Sequence, residues 1–124
     1  MAKALTATAV VKMTAGPVAL LMRGILCNIL VCLALWSSFQ TKNDAAKLIM
    51  VFWCLLAFFT TGFEHSVANM TLLTAALIEP AGQVITVGAW LYNLFWISLG
   101  NMLGAICFLA VPYVIAAKKY IIDS

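Results

Sequence analysis

Gly62-Phe63-Glu64-His65-Ser66-Val67-Ala68-Asn69 decides the reading of this chain. The stretch holds the only histidine and one of just four carboxylate side chains. It lies inside a long apolar run. Upstream, Leu48 to Thr61 is apolar until its last two threonines, and downstream, Met70 to Ile78 is apolar apart from small threonines. Fourteen helical residues rise only about 21 Å, short of the roughly 30 Å of bilayer hydrocarbon. Neither flank spans alone, and together they exceed one span. The pattern predicts a discontinuous membrane helix from about Ala45 to Ile78: half-helix, polar elbow, half-helix. Such breaks occur at membrane depth only where they line a cavity or are buried in protein, and in transporters they mark the substrate site.

Composition supports a membrane setting. Of 124 residues, 65% are apolar and 9% charged, against about 25% charged in a soluble domain. The net charge is only +3 and there is no basic run, which argues against nucleic acid as a partner. Cys27, Cys32, Cys54 and Cys107 lie in apolar segments without a CxxC or His-paired cluster, so they read as small buried side chains rather than metal ligands or disulfides. No cofactor is expected. Lys3 and the short apolar stretch Ala4 to Val11, closed by Lys12, do not make a signal peptide.

Three membrane segments are predicted in an all-α integral membrane protein. Residues 1–16 form an N-terminal segment, read as an interfacial or partly inserted helix or as the tail of a preceding element; residues 17–124 form the membrane domain. Gly16-Pro17 separates them, and proline suits the first turn of a helix. The first span is Pro17 to Trp36, with Arg23 snorkelling towards the interface. Asn28, Val31, Cys32 and Leu35 share one of its faces. Ser37 to Lys47 is a polar connector in which Asn43 and Asp44 can cap a helix starting near Ala45. After the broken segment, Glu79 to Gln83 makes a turn. Val84 to Ala117 is too long for one upright span, so an interfacial piece is expected up to Tyr92 and a span from Asn93. Trp90, Tyr92 and Trp96 suit an interface belt. Gly100 and Gly104 make a GxxxG pair that admits a close neighbouring helix, and Pro112 can kink the end. Lys42, Lys47, Lys118 and Lys119 on one side, against Lys3, Lys12 and Arg23 on the other, place the C-terminus in the cytoplasm.

The polar residues admit two readings each. His65 is a proton-exchanging or anion-contacting pore group, or a hydrogen bonder between packed helices. Ser66 can cap the second half-helix, whose positive end would point at the elbow. Glu64 is expected to support the elbow through backbone N–H groups or an inter-helix pair. Asn28, Asn69 and Asn101 either tie helices together or meet substrate. Lys12 is either a snorkelling lysine or a fixed positive charge on the substrate path. No nucleophile–base pair, metal cluster or phosphate loop suggests an enzyme.

Arg23-Gly24-Ile25-Leu26-Cys27-Asn28 through Trp36, then Gly62 to Met70, then Leu99-Gly100-Asn101-Met102-Leu103-Gly104 resemble the formate/nitrite transporter family, in its order and roughly its spacing. The wording looks closest to the nitrite channel branch. The resemblance implies an aquaporin-like channel fold of six segments in two inverted halves, assembled as a pentamer with a pore in each protomer. This chain matches the second half, so a homo-pentamer together with a first half is implied. By position, His65 matches the central pore histidine, Lys12 the lysine whose field draws anions inward, Asn69 and Asn101 polar pore residues, and Glu64 the acid beside the histidine. Phe58 and Val31 match residues of the apolar constriction.

The mechanism implied is attraction of a small monovalent weak-acid anion by Lys12, then proton exchange near His65, or passage of the anion with His65 charged. Nitrite is the leading substrate, with formate or hydrosulfide as alternatives. The setting implied is the cell inner membrane, with multiple crossings. The reading from another class is a non-transporting small membrane subunit or a truncated fragment. Alone, three segments would expose their pore-facing polar groups to lipid. The isolated chain is therefore expected to aggregate unless a complementary half covers it, and a monodisperse, long-lived monomer in detergent would contradict this.

Overall fold

The computed structural model describes residues 2–122, with side chains as far as Lys118. The side chain of Lys119, counted in the charge balance above, and the terminal residues Met1, Asp123 and Ser124 lie outside the described residues. The described residues are helical: α1 Ala2–Met13, α2 Pro17–Gln40, α3 Asp44–Thr60, α4 Ser66–Ile78 and α5 Val87–Ala105, which runs through a π-helical turn, Ile106–Ala110, into α6 Val111–Ile122. Two stretches, Pro17–Gln40 and Val87–Lys118, are long and apolar enough to cross a membrane.

The helix ends follow local chemistry. Pro17 opens α2 after an extended Gly16. The Asn43 side chain caps α3 by accepting from the amides of Ala45 and Ala46, while Asp44 pairs with Lys47 at 3.0 Å. At the far end of α3, Gly62 takes φ 66°, a left-handed conformation that L side chains resist and that commonly ends helices. Residues Thr61 to His65 then carry the chain into α4.

Several boundaries differ from those the sequence suggests. α2 passes Trp36 and continues to Gln40, because the hydroxyls of Ser38 and Thr41 donate back to the carbonyls of Leu35 and Ser37 and need no loop to be satisfied. No break occurs at Tyr92; α5 is continuous from Val87. Pro112 does perturb the last helix, by widening it. Val111 N–H donates to Ile106 O, five residues back. Proline cannot donate to the carbonyl four residues earlier and its ring crowds that carbonyl, and a π turn just before it takes up the mismatch.

The core is held by two packings. α2 lies directly against α5, backbone to backbone, at Gly24, Gly100 and Gly104. A Cβ on Gly100 would collide with Leu21 O and come within 3.1 Å of Gly24 Cα; one on Gly24 would meet Ile97 O at 2.8 Å. The GxxxG pair is thus filled by a helix of this same chain. Separately, α1 packs on α4 and α5 through buried Ala9, Met13, Leu73 and Ala76, with Leu5, Ile85 and Trp90 around them. α3 packs against α2 but buries none of its residues, and it presents Leu48, Phe52, Trp53 and Phe59 outward. Two of the belt aromatics are tied to neighbouring elements: Trp90 Nε1 donates to Thr74 Oγ1 and Tyr92 OH to Ala15 O. Among the cysteines, all free, Cys27 is buried but Cys107 is exposed, so burial does not account for all four.

Gly100→Ala should cost about 1–3 kcal/mol, because the atoms it meets are backbone and cannot give way. Gly88→Ala, in the same helix with nothing within 4 Å of its Cβ, should stay within about 1 kcal/mol of the parent. Unfolding midpoints in mixed detergent–SDS micelles measure both.

Candidate functional site

The elbow between α3 and α4 carries the site. Glu64 is its most buried ionisable group, 1% exposed. A bare carboxylate at that depth is prohibitively costly unless paired and hydrogen-bonded. Three elements supply the pairing. Arg23 of α2 donates from a guanidinium nitrogen to Oε1 at 3.0 Å. Asn69 of α4 donates to Oε2 at 2.8 Å, and Lys12 of α1 places Nζ 3.5 Å from the same oxygen. Glu64 therefore forms the inter-helix pair rather than accepting from backbone amides. Arg23, expected to snorkel outward, is turned to this carboxylate instead, since pairing there outweighs reaching the interface.

Asparagines extend the network. The Asn69 amide also donates to Asn93 Oδ1 at 3.0 Å, and Asn93 donates to Lys12 O at 2.8 Å. That carbonyl lies in the last turn of α1, where helix carbonyls lack partners. Asn101 of α5 uses its whole amide. Its nitrogen donates to Gly24 O and Glu64 O; its oxygen accepts from the backbone N–H and the hydroxyl of Ser66. Asn28 donates to Asn101 O. Among the described residues no buried side-chain polar atom lacks a partner.

His65, not Ser66, caps α4. Its Nδ1 accepts from Val67 N–H at 3.3 Å, while Ser66 is the first helical residue and is held by Asn101. Accepting at Nδ1 assigns the proton of the neutral ring to Nε2. The leading amides of α4 at Ser66 and Val67 are thus already occupied by side chains and do not point free into the elbow.

A cavity of about 240 Å³ opens beside the elbow, bordered by Lys12, Phe58, Phe63, His65, Ala68 and Asn69. The structure therefore brings together four of the expected residues, Lys12, His65, Asn69 and Phe58. Glu64 stands directly behind them. Asn28, Asn101 and Val31 do not border this cavity; the first two bond within the helix packing. Arg23 as a counter-ion and Asn93 as a link are additions. The signals for them were in the sequence: an arginine five residues from Asn28 with no acid nearby, and an asparagine in the apolar run from Leu91 to Leu99.

The formate/nitrite transporter family profile matches residues 1–115. The chain belongs to the formate/nitrite transporter family. It is a membrane protein built of helices in that family's channel fold. The nitrite transporter NirC of Escherichia coli K12 is 42% identical over 111 residues, which is 90% of this chain and 41% of that protein. The formate-nitrite transporter of Entamoeba histolytica is 38% identical over 103 residues, 81% of this chain and 28% of that protein. Among solved structures, an FNT family ion channel superposes with a TM-score of 0.84 at 40% identity, covering 90% of this chain and 45% of that one. A pentameric formate channel with formate bound shares the fold, with a TM-score of 0.83 at 23% identity. The chain spans about two fifths of the length of the NirC relative.

Asn101→Ala should remove four hydrogen bonds at once and leave Ser66 N–H and Glu64 O unpartnered. A loss of about 2–3 kcal/mol is expected, together with faster hydrogen exchange at the Ser66 amide. Unchanged exchange there would show that Asn101 does not hold the elbow.

Proposed function

We propose that this chain forms one half of a channel passing small monovalent weak-acid anions, with nitrite as its main substrate and formate or hydrosulfide as the alternatives. The observation that carries the reading is the cavity at the α3–α4 elbow, where a lysine, the sole histidine and an apolar aromatic wall meet. In this reading α3 and α4 make one interrupted crossing between the crossings of α2 and α5–α6. The three crossings are one repeat of a two-repeat pore, and the assembly is a homo-pentamer in the inner membrane with the C-terminus cytoplasmic. Nitrite transport by the NirC relatives supports the choice of substrate.

Lys12 and His65 divide the work. The ammonium of Lys12 attracts the anion to the cavity mouth. Moving it on as a bare charge past Phe58 costs several kcal/mol. Val31 of α2 is assigned to the same apolar barrier. The anion takes up a proton near His65 from the doubly protonated ring. That form gains its second proton at Nδ1 by giving up the bond from Val67 N–H, and it returns to neutral imidazole as the weak acid leaves. Phe58 excludes the water that would compete. Asn69 bridges the charged cluster and the cavity wall. Glu64, Asn28 and Asn101 act from behind, by fixing where the elbow stands.

Substitution of His65 separates its two tasks. Asparagine is among the best helix caps, so His65→Asn keeps α4 anchored while removing the proton-exchanging ring. In liposomes holding this chain with a family first half, His65→Asn should cut nitrite and formate flux by about tenfold or more and flatten its dependence on pH between about 5 and 8. Assembly should be unaffected. Wild-type complexes that assemble but carry neither anion would favour a non-transporting membrane subunit instead.

A further inference from the structure

The charges around Glu64 do not balance: two cations face one carboxylate, leaving one positive charge beside the cavity. The two cations are also unlike. Arg23 is hydrogen-bonded to Oε1 at 3.0 Å, whereas Lys12 lies 3.5 Å from Oε2 as an ion pair without a hydrogen bond, on an oxygen already taken by Asn69 at 2.8 Å. Lys12, and not Arg23, borders the cavity. We infer that Arg23 is the resident counter-ion of Glu64, a positioning residue whose neutralisation of that carboxylate leaves the Lys12 ammonium available to an incoming anion. The inference rests on the proposed anion path and adds a residue to it.

The physical argument is a competition for one buried carboxylate. Glu64 is fully buried and needs a cation. A guanidinium is always charged and holds a carboxylate through fixed, directional donors, while an ammonium is a mobile point charge. With Arg23 in place, the demand of Glu64 is met from α2. Remove the guanidinium, and the only other cation within reach among the described residues is Lys12, 3.5 Å away. Its ammonium would close onto Oε2, the net charge at the cavity would fall from +1 to zero, and anion capture would weaken. The role is electrostatic, so removing the carboxylate as well should restore it.

The test uses the chain assembled with a family first half, comparing wild type, Arg23→Gln, Arg23→Lys and the double variant Arg23→Gln/Glu64→Gln. Two readouts are taken: nitrite flux at low salt, and the rate of Lys12 reductive methylation followed by mass spectrometry. Arg23→Gln should slow both by about tenfold, the lower end of what focused charge contributes to anion capture. Arg23→Lys should stay within a few-fold of wild type, and the double variant should regain most of both losses. Equal Lys12 methylation in wild type and Arg23→Gln would overturn the inference, and so would a double variant as impaired as the single one. If Arg23→Gln alone fails to assemble, Arg23→Lys and the double variant decide by the same criteria. Because methylation is read without transport, a wild type that carries no nitrite would defeat the proposed function while leaving the state of Lys12 measured.

Discussion

Burial of the Glu64 carboxylate is the constraint on which the rest of the site depends. A charge taken out of water at this depth cannot be left unpaired. Its needs recruit a cation from α1, another from α2 and an amide from α4. The side-chain ends of Lys12, Arg23 and Asn69 all arrive within 3.5 Å of this one carboxylate, which fixes how the three helices approach it. The elbow is therefore located by the carboxylate more than by the loop that carries it. Gly62, with its left-handed φ of 66°, lets α3 end there.

The second requirement is that the elbow be held against the helices that pass it. Here the glycine contact between α2 and α5 matters. Because Gly24 and Gly100 let the two backbones touch, Asn101, one residue on, reaches Gly24 O on one side and Glu64 O and Ser66 on the other. A single amide thus reads the position of α2 and transmits it to the first turn of α4. Any widening of the α2–α5 contact would pull this amide away from one partner or the other. Packing by small residues and placement of the polar elbow are two aspects of one arrangement.

Much of this was legible in the sequence, for reasons that differ by residue. Long apolar runs announced helices, Gly16-Pro17 and Asn43 marked true starts, and the Gly-Phe-Glu-His stretch marked the turn between α3 and α4. What was not legible was which distant groups meet. Periodicity places Arg23 on a face of α2 but does not say that the face looks at residue 64, so snorkelling was the natural expectation. Ser66 has the composition of a cap, yet the ring of His65 takes that role because Asn101 has already claimed the serine. Ser37 to Gln40 reads as connector by polarity, but hydroxyls that donate to their own helix carbonyls cost little inside a helix. Each miss is a local preference overridden by a long-range partner.

The division between satisfied and available polar groups bears most on function. Asn28, Asn69, Asn93 and Asn101 all donate within the protein, and both oxygens of Glu64 accept a hydrogen bond. Side chains committed in this way cannot change partners as a substrate passes without losing bonds that hold the helices together. The groups left with capacity at the cavity are Lys12, held by Coulomb attraction alone, and the Nε2 edge of His65, whose Nδ1 is fixed by the Val67 amide. A rigid polar frame with two adjustable groups at its edge suits attraction of a charge followed by exchange of a proton. The proton step exchanges only the cap bond between His65 Nδ1 and Val67 N–H, while the asparagine frame stays in place.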